Sequence, residues 1–331
     1  MTGSISLQTQ ADISIERMVF EIYCPLMNIY IAGINGLVGS NVAAQARDLG
    51  HHVLGKTSKD LDLTNRKIVF EELAVNKVDV LIIAAAKVGG IGVNYANPVA
   101  FLSKNLQIQT NLIDAAHEYG IEKVIFLGSS CIYPKFAPQP LREEFLLGGK
   151  LEPTNQAYAI AKLAGIELIN SYNREYSKNW ISLLPCNLYG PGDNFNPLEG
   201  HVLASLIQKI HVAKIRKDKT VIIWGDGSPL REFLYIQDAA QGIIHVAEGH
   251  VSDEIVNLGS GEEVSISALA RLIGEVIGYK EEFVYDLGKP NGTPRKVMDV
   301  TKMKKAGWNS TTNLKIGIEK TYRWYLSRNL L

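Results

Sequence analysis

A chain of 331 residues, 46% hydrophobic and 21% charged, has the composition of a globular protein long enough for about two domains. Its 34 basic and 34 acidic side chains cancel, leaving no net charge with which to hold nucleic acid or an anionic membrane. The longest apolar run, residues 80–86, ends at Lys87 and is far too short to span a bilayer, so neither nucleic acid nor membrane is expected as a partner.

Residues 1–26 begin polar and lack a basic stretch followed by an apolar core, so they read as an N-terminal extension and not as a signal peptide. Residues 27–32 form an apolar strand that stops at Gly33-Ile-Asn-Gly36-Leu-Val-Gly39, and residues 38–49 carry helical apolar spacing closed by Gly50. Then come a short strand at 52–54, a helix at 67–75, a strand at 78–86, a long helix at 98–119 and a strand at 123–127. A helix at 156–176 and a strand at 180–184 complete the series. Such alternation predicts an α/β fold, a Rossmann-like doubly wound parallel sheet with its ligand crevice beyond the carboxyl ends of the strands. After residue 185 loops rich in Gly, Pro, Asn and Asp, at 189–200 and 225–229, separate helices at 202–212 and 265–277 from strands at 221–224 and 254–258. Residues 27–184 are therefore expected to form a dinucleotide-binding domain. Residues 185–331 are expected to form a smaller α+β domain that closes over the crevice, with some segments returning to the first. Cys24, Cys131 and Cys186 show no metal-like spacing and no even framework, which argues against disulfides or a metal site and fits the reducing cytoplasm.

Between a strand and a helix, Gly33, Gly36 and Gly39 allow a tight turn and close approach of the backbone to a pyrophosphate, which the helix N-terminus attracts. At the end of the second strand, where an acid would bind the ribose of NAD, the chain has Gly55, Lys56 and Lys59, with the first acid at Asp60. That favours NADPH. The competing reading of the two lysines is a solvated loop edge. Downstream, Leu127-Gly128-Ser129-Ser130-Cys131 precedes Tyr158-Ala-Ile-Ala-Lys162. A tyrosine and lysine four apart share one helix face, so the ammonium is expected to lower the pKa of the phenol and make it a proton donor.

With these motifs in order, the chain resembles the extended short-chain dehydrogenase/reductase superfamily. The resemblance narrows in longer strings, among them Ala84-Ala-Ala-Lys-Val-Gly-Gly-Ile91, Glu152-Pro-Thr-Asn155, Asn187-Leu-Tyr-Gly-Pro191, Asp193-Asn-Phe195, Arg231-Glu-Phe-Leu234 and Gly292-Thr-Pro-Arg-Lys296. From residue 27 onward these are similar to the 3,5-epimerase/4-reductases of GDP-4-keto-6-deoxy-D-mannose, whose product is GDP-L-fucose. The resemblance implies a reductase triad of Ser129, Tyr158 and Lys162 and an epimerisation pair of Cys131 and His201. It implies GDP-sugar contacts at Asn187, Lys209, Trp224, Arg231, Asn291 and Lys296. Cofactor contacts are implied at Asn35, Leu37 and Val38 in the glycine turn, at Leu127, Gly128, Ser129 and Ser130, at Pro185, Cys186, Asn187 and Leu188, and at Tyr158, Lys162 and His201. Homodimers joined through two helices per subunit, here 98–119 and 156–176, are implied as well.

The implied chemistry is coherent, because a ketone at C4 acidifies the hydrogens on C3 and C5 and one oxyanion site serves both the enolates and the alkoxide. A thiolate near a cation suits the base role, and an imidazole suits the other proton. Three positions depart from the family pattern: Asn35 stands where an arginine is common, Asn291 where an aspartate is frequent, and Cys186 where a threonine is usual. An enzyme for another GDP-4-ketosugar, a dideoxy or heptose sugar, is a neighbouring reading. A dehydratase would carry an acidic pair where this chain has Ser130 and Cys131, and a non-catalytic NADP-binding protein would have no need of Ser129, Cys131, Tyr158, Lys162 and His201 together.

Overall fold

A computed structural model describes residues 25–328 apart from 198 and 290, so Cys24 and nearly all of the expected N-terminal extension lie outside the described residues. The strands are β1 Asn28–Ala32, β2 His52–Leu54, β3 Val80–Ile83, β4 Lys123–Leu127, β5 Ile181–Pro185, β6 Asn187–Tyr189, β7 Thr220–Trp224, β8 Leu230–Tyr235, β9 Ile255–Leu258, β10 Glu263–Ser265, β11 Glu282–Asp286 and β12 Arg295–Lys296.

Six of them form a parallel sheet in the order β2-β1-β3-β4-β5-β9. Its central strands are apolar on both faces, with Ile82, Ile83, Ile125 and Phe126 fully buried. Each such side chain contributes about 1.5–3 kcal/mol through burial, and this continuous hydrophobicity is what a sheet covered on both faces requires. The helices Leu37–Asp48 and Ile236–Ala247 pack together, as do Arg66–Val75, Pro98–Glu118 and Gln156–Tyr176 in a second group. At Gly165 a Cβ would lie 2.5 Å from the Phe126 ring, so a glycine there lets the helix Gln156–Tyr176 seat close to β4.

A second hydrophobic core lies among the helices Val202–Arg216, Ile266–Ile277 and Leu314–Ser327, around the parallel pair β7 and β11. Between the two cores runs β8, flanked by β10 and β12 and paired also with β6. The fold class is the expected one, but several elements carry no signal in the sequence reading. The helix Ile236–Ala247 follows β8 directly, its N-cap Tyr235 makes no side-chain cap bond, and no turn residue separates strand from helix. The helix Val202–Arg216 also runs past the expected residue 212, to a left-handed Lys217 at φ 59°. Among the described residues no helix is long and apolar enough to cross a membrane.

Candidate active site

The strand order reverses between β1 and β3, and the glycine turn sits at that switch point. Gly33 has φ +89° and faces the backbone of Ala85, where a Cβ would come within 2.8 Å; a Cβ on Gly39 would come within 2.1 Å of the Gly33 carbonyl oxygen. The turn closes through the Gly36 N–H donating to the Gly33 carbonyl at 2.9 Å. No side chain caps the first turn of the helix Leu37–Asp48, so the amides of Leu37, Val38 and Gly39 suit the pyrophosphate of a dinucleotide. Asn35 is exposed at the tip of the turn. Lys56, at the end of β2, forms an ion pair at 2.6 Å with the buried carboxylate of Glu72, which Tyr30 also reaches at 3.3 Å.

Beyond β4 the chain enters a short 3-10 turn, Ser130–Ile132, capped by Ser129, whose Oγ accepts the Cys131 N–H at 3.2 Å. Lys162 is buried; its Nζ donates to the Leu127 carbonyl at 2.7 Å and lies 4.6 Å from the Phe126 ring centroid. Burial alone lowers its pKa to about 7. The Tyr158 phenol is raised above its ordinary range, first by burial and then by the negative field of Cys131, against a smaller lowering by the Ser129 hydroxyl. The expectation that Lys162 pulls the phenol down is therefore corrected. Its ammonium is committed to the Leu127 carbonyl, and desolvation dominates. A phenol held protonated at neutral pH remains a proton donor to an alkoxide, which is the stronger base.

Lys296, 165 positions beyond Cys131, places Nζ 3.8 Å from the thiol sulfur. Its strand is fixed from both sides. The Val297 carbonyl accepts from Leu141 N–H at 2.7 Å, and the Met298 N–H donates to Glu232 Oε2 at 2.7 Å. Glu232 is buried and takes the Gly261 N–H on its other oxygen at 2.7 Å, yet burial outweighs these donors and pushes its pKa up to about 7. Arg231, paired with Lys296 across β8 and β12, donates to the Leu230 carbonyl at 2.8 Å. Burial lowers its pKa, and the fields of Cys131 and Glu152 oppose that.

The other residues expected on the sugar side fall into separate groups. Asn187 Nδ2 donates to the Glu232 carbonyl at 2.7 Å. Trp224 is half-exposed, with the ammonium groups of Lys209 and Lys289 at 5.2 and 5.4 Å from its ring. The Asn291 carboxamide oxygen is turned to the Asp226 N–H at 2.9 Å, fixing the Gly225–Gly227 turn. His201 is the N-cap of the helix Val202–Arg216; its ring is exposed, and desolvation by the surrounding protein lowers its pKa. Among the described residues no hydrogen bond or ion pair joins His201 to Cys131. Pro185 ends β5 and Cys186 joins it to β6, where the Cys186 thiol is raised well above its usual range, first by burial and then by Glu232. Leu188 is buried in β6, and Ser130 is buried under the 3-10 turn.

Three polar residues beside the predicted ones come forward only in three dimensions. They are Lys289 against Trp224, Glu232 behind Arg231 and Lys296, and Asp193. The Asp193 Oδ2 is buried without a hydrogen-bond partner, and burial pushes that carboxyl up to about 7. The Arg231-Glu-Phe-Leu234 string contains Glu232, but an acid beside an arginine reads as its surface ion-pair partner until its burial is known.

Residues 29–259 match the NAD dependent epimerase/dehydratase family. The chain is 47% identical over 299 residues to GDP-L-fucose synthase 1 of Arabidopsis thaliana, covering 90% of this chain and 93% of that one. It is 43% identical over 310 residues to GDP-L-fucose synthase of Escherichia coli strain K12, covering 90% and 96%. The chain belongs to this epimerase/dehydratase family, among the GDP-L-fucose synthases. A solved GDP-mannoheptose C4 reductase of Campylobacter jejuni with NADP bound has the same fold, with TM-score 0.83 and 31% identity over 91% of this chain and 98% of that one. Within that family frame the uncapped helix start, the two glycines pressed against backbone and the buried Lys162 fit a nicotinamide dinucleotide along the turn.

Proposed function

We propose that this chain is a bifunctional 3,5-epimerase and 4-reductase that converts GDP-4-keto-6-deoxy-D-mannose to GDP-L-fucose with NADPH. The observation that carries the epimerase half is the approach of Lys296 Nζ to within 3.8 Å of the Cys131 sulfur, one turn of chain from Ser129. An ammonium at that distance stabilises a thiolate, and a thiolate beside a carbonyl-binding hydroxyl can take a proton from a carbon next to the ketone. Ser129 Oγ and the Tyr158 hydroxyl hold the C4 oxygen while Cys131 removes the proton and His201 returns one from the other side. The same two hydroxyls then hold the oxygen through reduction, and Tyr158 gives it the final proton. NADPH supplies the hydride when bound along the glycine turn. Lys162, anchored on the Leu127 carbonyl, orients the ribose and supports Tyr158. Arg231 binds the diphosphate, Trp224 the guanine face, and Lys209, Asn187, Asn291 and Lys296 line the same wall.

In this reading residues 27–184 carry the dinucleotide and residues 185–331 mainly the nucleotide sugar. The enzyme works in the cytoplasm as a homodimer joined through the helices Pro98–Glu118 and Gln156–Tyr176. A second reading, an enzyme for a dideoxy or heptose GDP-4-ketosugar, is supported by the Campylobacter neighbour.

The test is incubation with NADPH and each ketosugar in heavy water, followed by NMR of the product. GDP-L-fucose carrying deuterium at C3 and C5 is expected from the deoxymannose derivative. Cys131→Ala is expected to lose exchange at both carbons while slowly reducing the unepimerised ketone. Undiminished exchange in that variant would show that the thiol only packs.

A further inference from the structure

The helix Ile236–Ala247 ends at the amino-terminal edge of the six-stranded sheet, the edge away from the glycine turn. Its last turn and the residues after it supply His245, Glu248 and His250, whose ligating atoms lie within 4.8 Å of one another. The two imidazole rings are stacked with centroids 4.3 Å apart, and His250 Nε2 lies 3.5 Å from Glu248 Oε2.

Neighbouring groups fix the proton positions. His245 Nε2 is 2.7 Å from the Ala306 carbonyl, which can only accept, so the proton is on Nε2 and the Nδ1 lone pair is left for a ligand. His51 is 5% exposed and accepts the Met27 N–H on Nδ1 at 3.3 Å, so its own proton is on Nε2. That buried Nε2 makes no hydrogen bond and points at Glu248 Oε1 from 3.7 Å. One carboxylate oxygen thus faces the buried His51 and the other faces His250. A backbone carbonyl behind one ligating histidine and an N–H behind the carboxylate are the outer partners that metal ligands use.

We propose that His245, Glu248 and His250 bind a divalent transition metal of the zinc class, with His51 and the Ala306 carbonyl as outer partners. Two imidazoles and a carboxylate leave a fourth position for water, a set that zinc takes and that the all-oxygen preference of calcium and magnesium disfavours. Tetrahedral ligands about 2.1 Å from zinc stand about 3.4 Å apart, so the exposed His250 ring must turn out of the stack and close by up to about 1.4 Å. The negative end of the helix and Glu248 favour the cation. Lys123, which donates to the Ala247 carbonyl at 2.9 Å, opposes it.

The probe is zinc chloride titrated into the full chain by calorimetry at pH 7.5, in parallel with the Cys131→Ala variant, which removes the thiol that could take zinc in the cleft. One equivalent is expected in both, with the melting temperature raised in proportion to occupancy. His250→Ala and Glu248→Gln are expected to weaken binding at least 10-fold, and His51→Gln, acting through Glu248, about 10-fold. His250 is exposed, so its variant tests the site without opening the core; unchanged NADPH binding and turnover would confirm that it is folded. Absence of zinc binding, loss of the equivalent in Cys131→Ala, or unchanged affinity in His250→Ala and Glu248→Gln would each overturn the proposal.

Discussion

On the dinucleotide side of the cleft the decisive contacts join backbone to backbone within one short turn: Gly36 N–H to the Gly33 carbonyl, and Gly39 against that same oxygen. On the side proposed for the sugar they join side chains from distant segments, Cys131 to Lys296 and Trp224 to Lys289, and beside the first pair Glu232 takes backbone N–H groups of Gly261 and Met298. The first kind of site is written in a few adjacent residues and tolerates almost any neighbours, because only the absence of a Cβ matters. The second depends on whether β12 is held in register with β8, and β11 with β7. It should respond to changes at residues that touch no ligand.

The sharpest division between the two sides falls at Tyr158. Tyr158→Phe is expected to lower the reduction rate by about 10²–10⁴-fold through loss of the proton donor, with NADPH binding by fluorescence titration unchanged. Near-normal turnover would remove the phenol from the chemistry and leave the helix Gln156–Tyr176 a structural element. The turn itself should be brittle. Gly39→Ala places a Cβ 2.1 Å from the Gly33 oxygen, and since backbone must move, a loss of about 3 kcal/mol in urea unfolding is expected together with loss of NADPH binding. An alanine variant that still bound NADPH would show that the turn has slack the geometry does not suggest.

This contrast also explains what was legible in the sequence. The sheet, the glycine turn and the Ser129, Cys131, Tyr158 and Lys162 segments could be read because each is local: an apolar run, a glycine spacing, two residues on one helix face. Lys162 could be placed on the helix face of Tyr158, but its anchor on the Leu127 carbonyl could not, because that bond depends on how closely Gly165 lets the helix approach Phe126. The phenol is raised and not lowered because its own burial dominates, with Cys131 adding to it, and neither is visible in a four-residue spacing. The helix Ile236–Ala247 was missed because no capping side chain or turn marks where β8 ends. Glu232 was missed because only burial distinguishes a carboxylate that takes backbone N–H groups from a surface acid.

Glu232 offers the pH-dependent version of the comparison. Its carboxyl moves from an ordinary 4.5 to about 7 on folding. Between those values the folded chain holds a proton that the unfolded chain has lost, so stability from this group is complete below about 4.5 and declines until about 7. At about 1.4 kcal/mol per unit this amounts to roughly 3–4 kcal/mol. Glu232→Gln cannot titrate, so the stability of the unmodified protein relative to this variant should fall between pH 4.5 and 7.5 in urea unfolding. A difference constant across that range would place the carboxylate in its charged form throughout. For Arg231→Ala a smaller effect is expected, a rise of about 10- to 100-fold in the KM for the GDP-sugar from lost charge-assisted hydrogen bonds, with the KM for NADPH unchanged. Equal KM values for the sugar in both proteins would take Arg231 out of the wall.

The smallest effect concerns cofactor choice, where the sequence put Lys56 beside the ribose. The chain is expected to use NADPH in preference to NADH, and the geometry limits how much of that preference Lys56 can supply. Its ammonium is 2.6 Å from Glu72, whose side chain is 8% exposed, so most of its field is cancelled by a carboxylate that cannot move away. Lys56→Glu would set two carboxylates against each other and report repulsion as much as recognition, whereas Lys56→Met removes the cation alone. That variant should reduce the ratio of kcat/KM for NADPH over NADH by less than about 10-fold, under about 1.4 kcal/mol. Glu72→Gln should move the ratio the other way, because it frees the ammonium to face a 2′-phosphate while the Tyr30 contact can persist through the amide. A fall of 100-fold or more in Lys56→Met, with no gain in Glu72→Gln, would mean that the ion pair opens when the dinucleotide arrives and that Lys56 is the main reader of the phosphate.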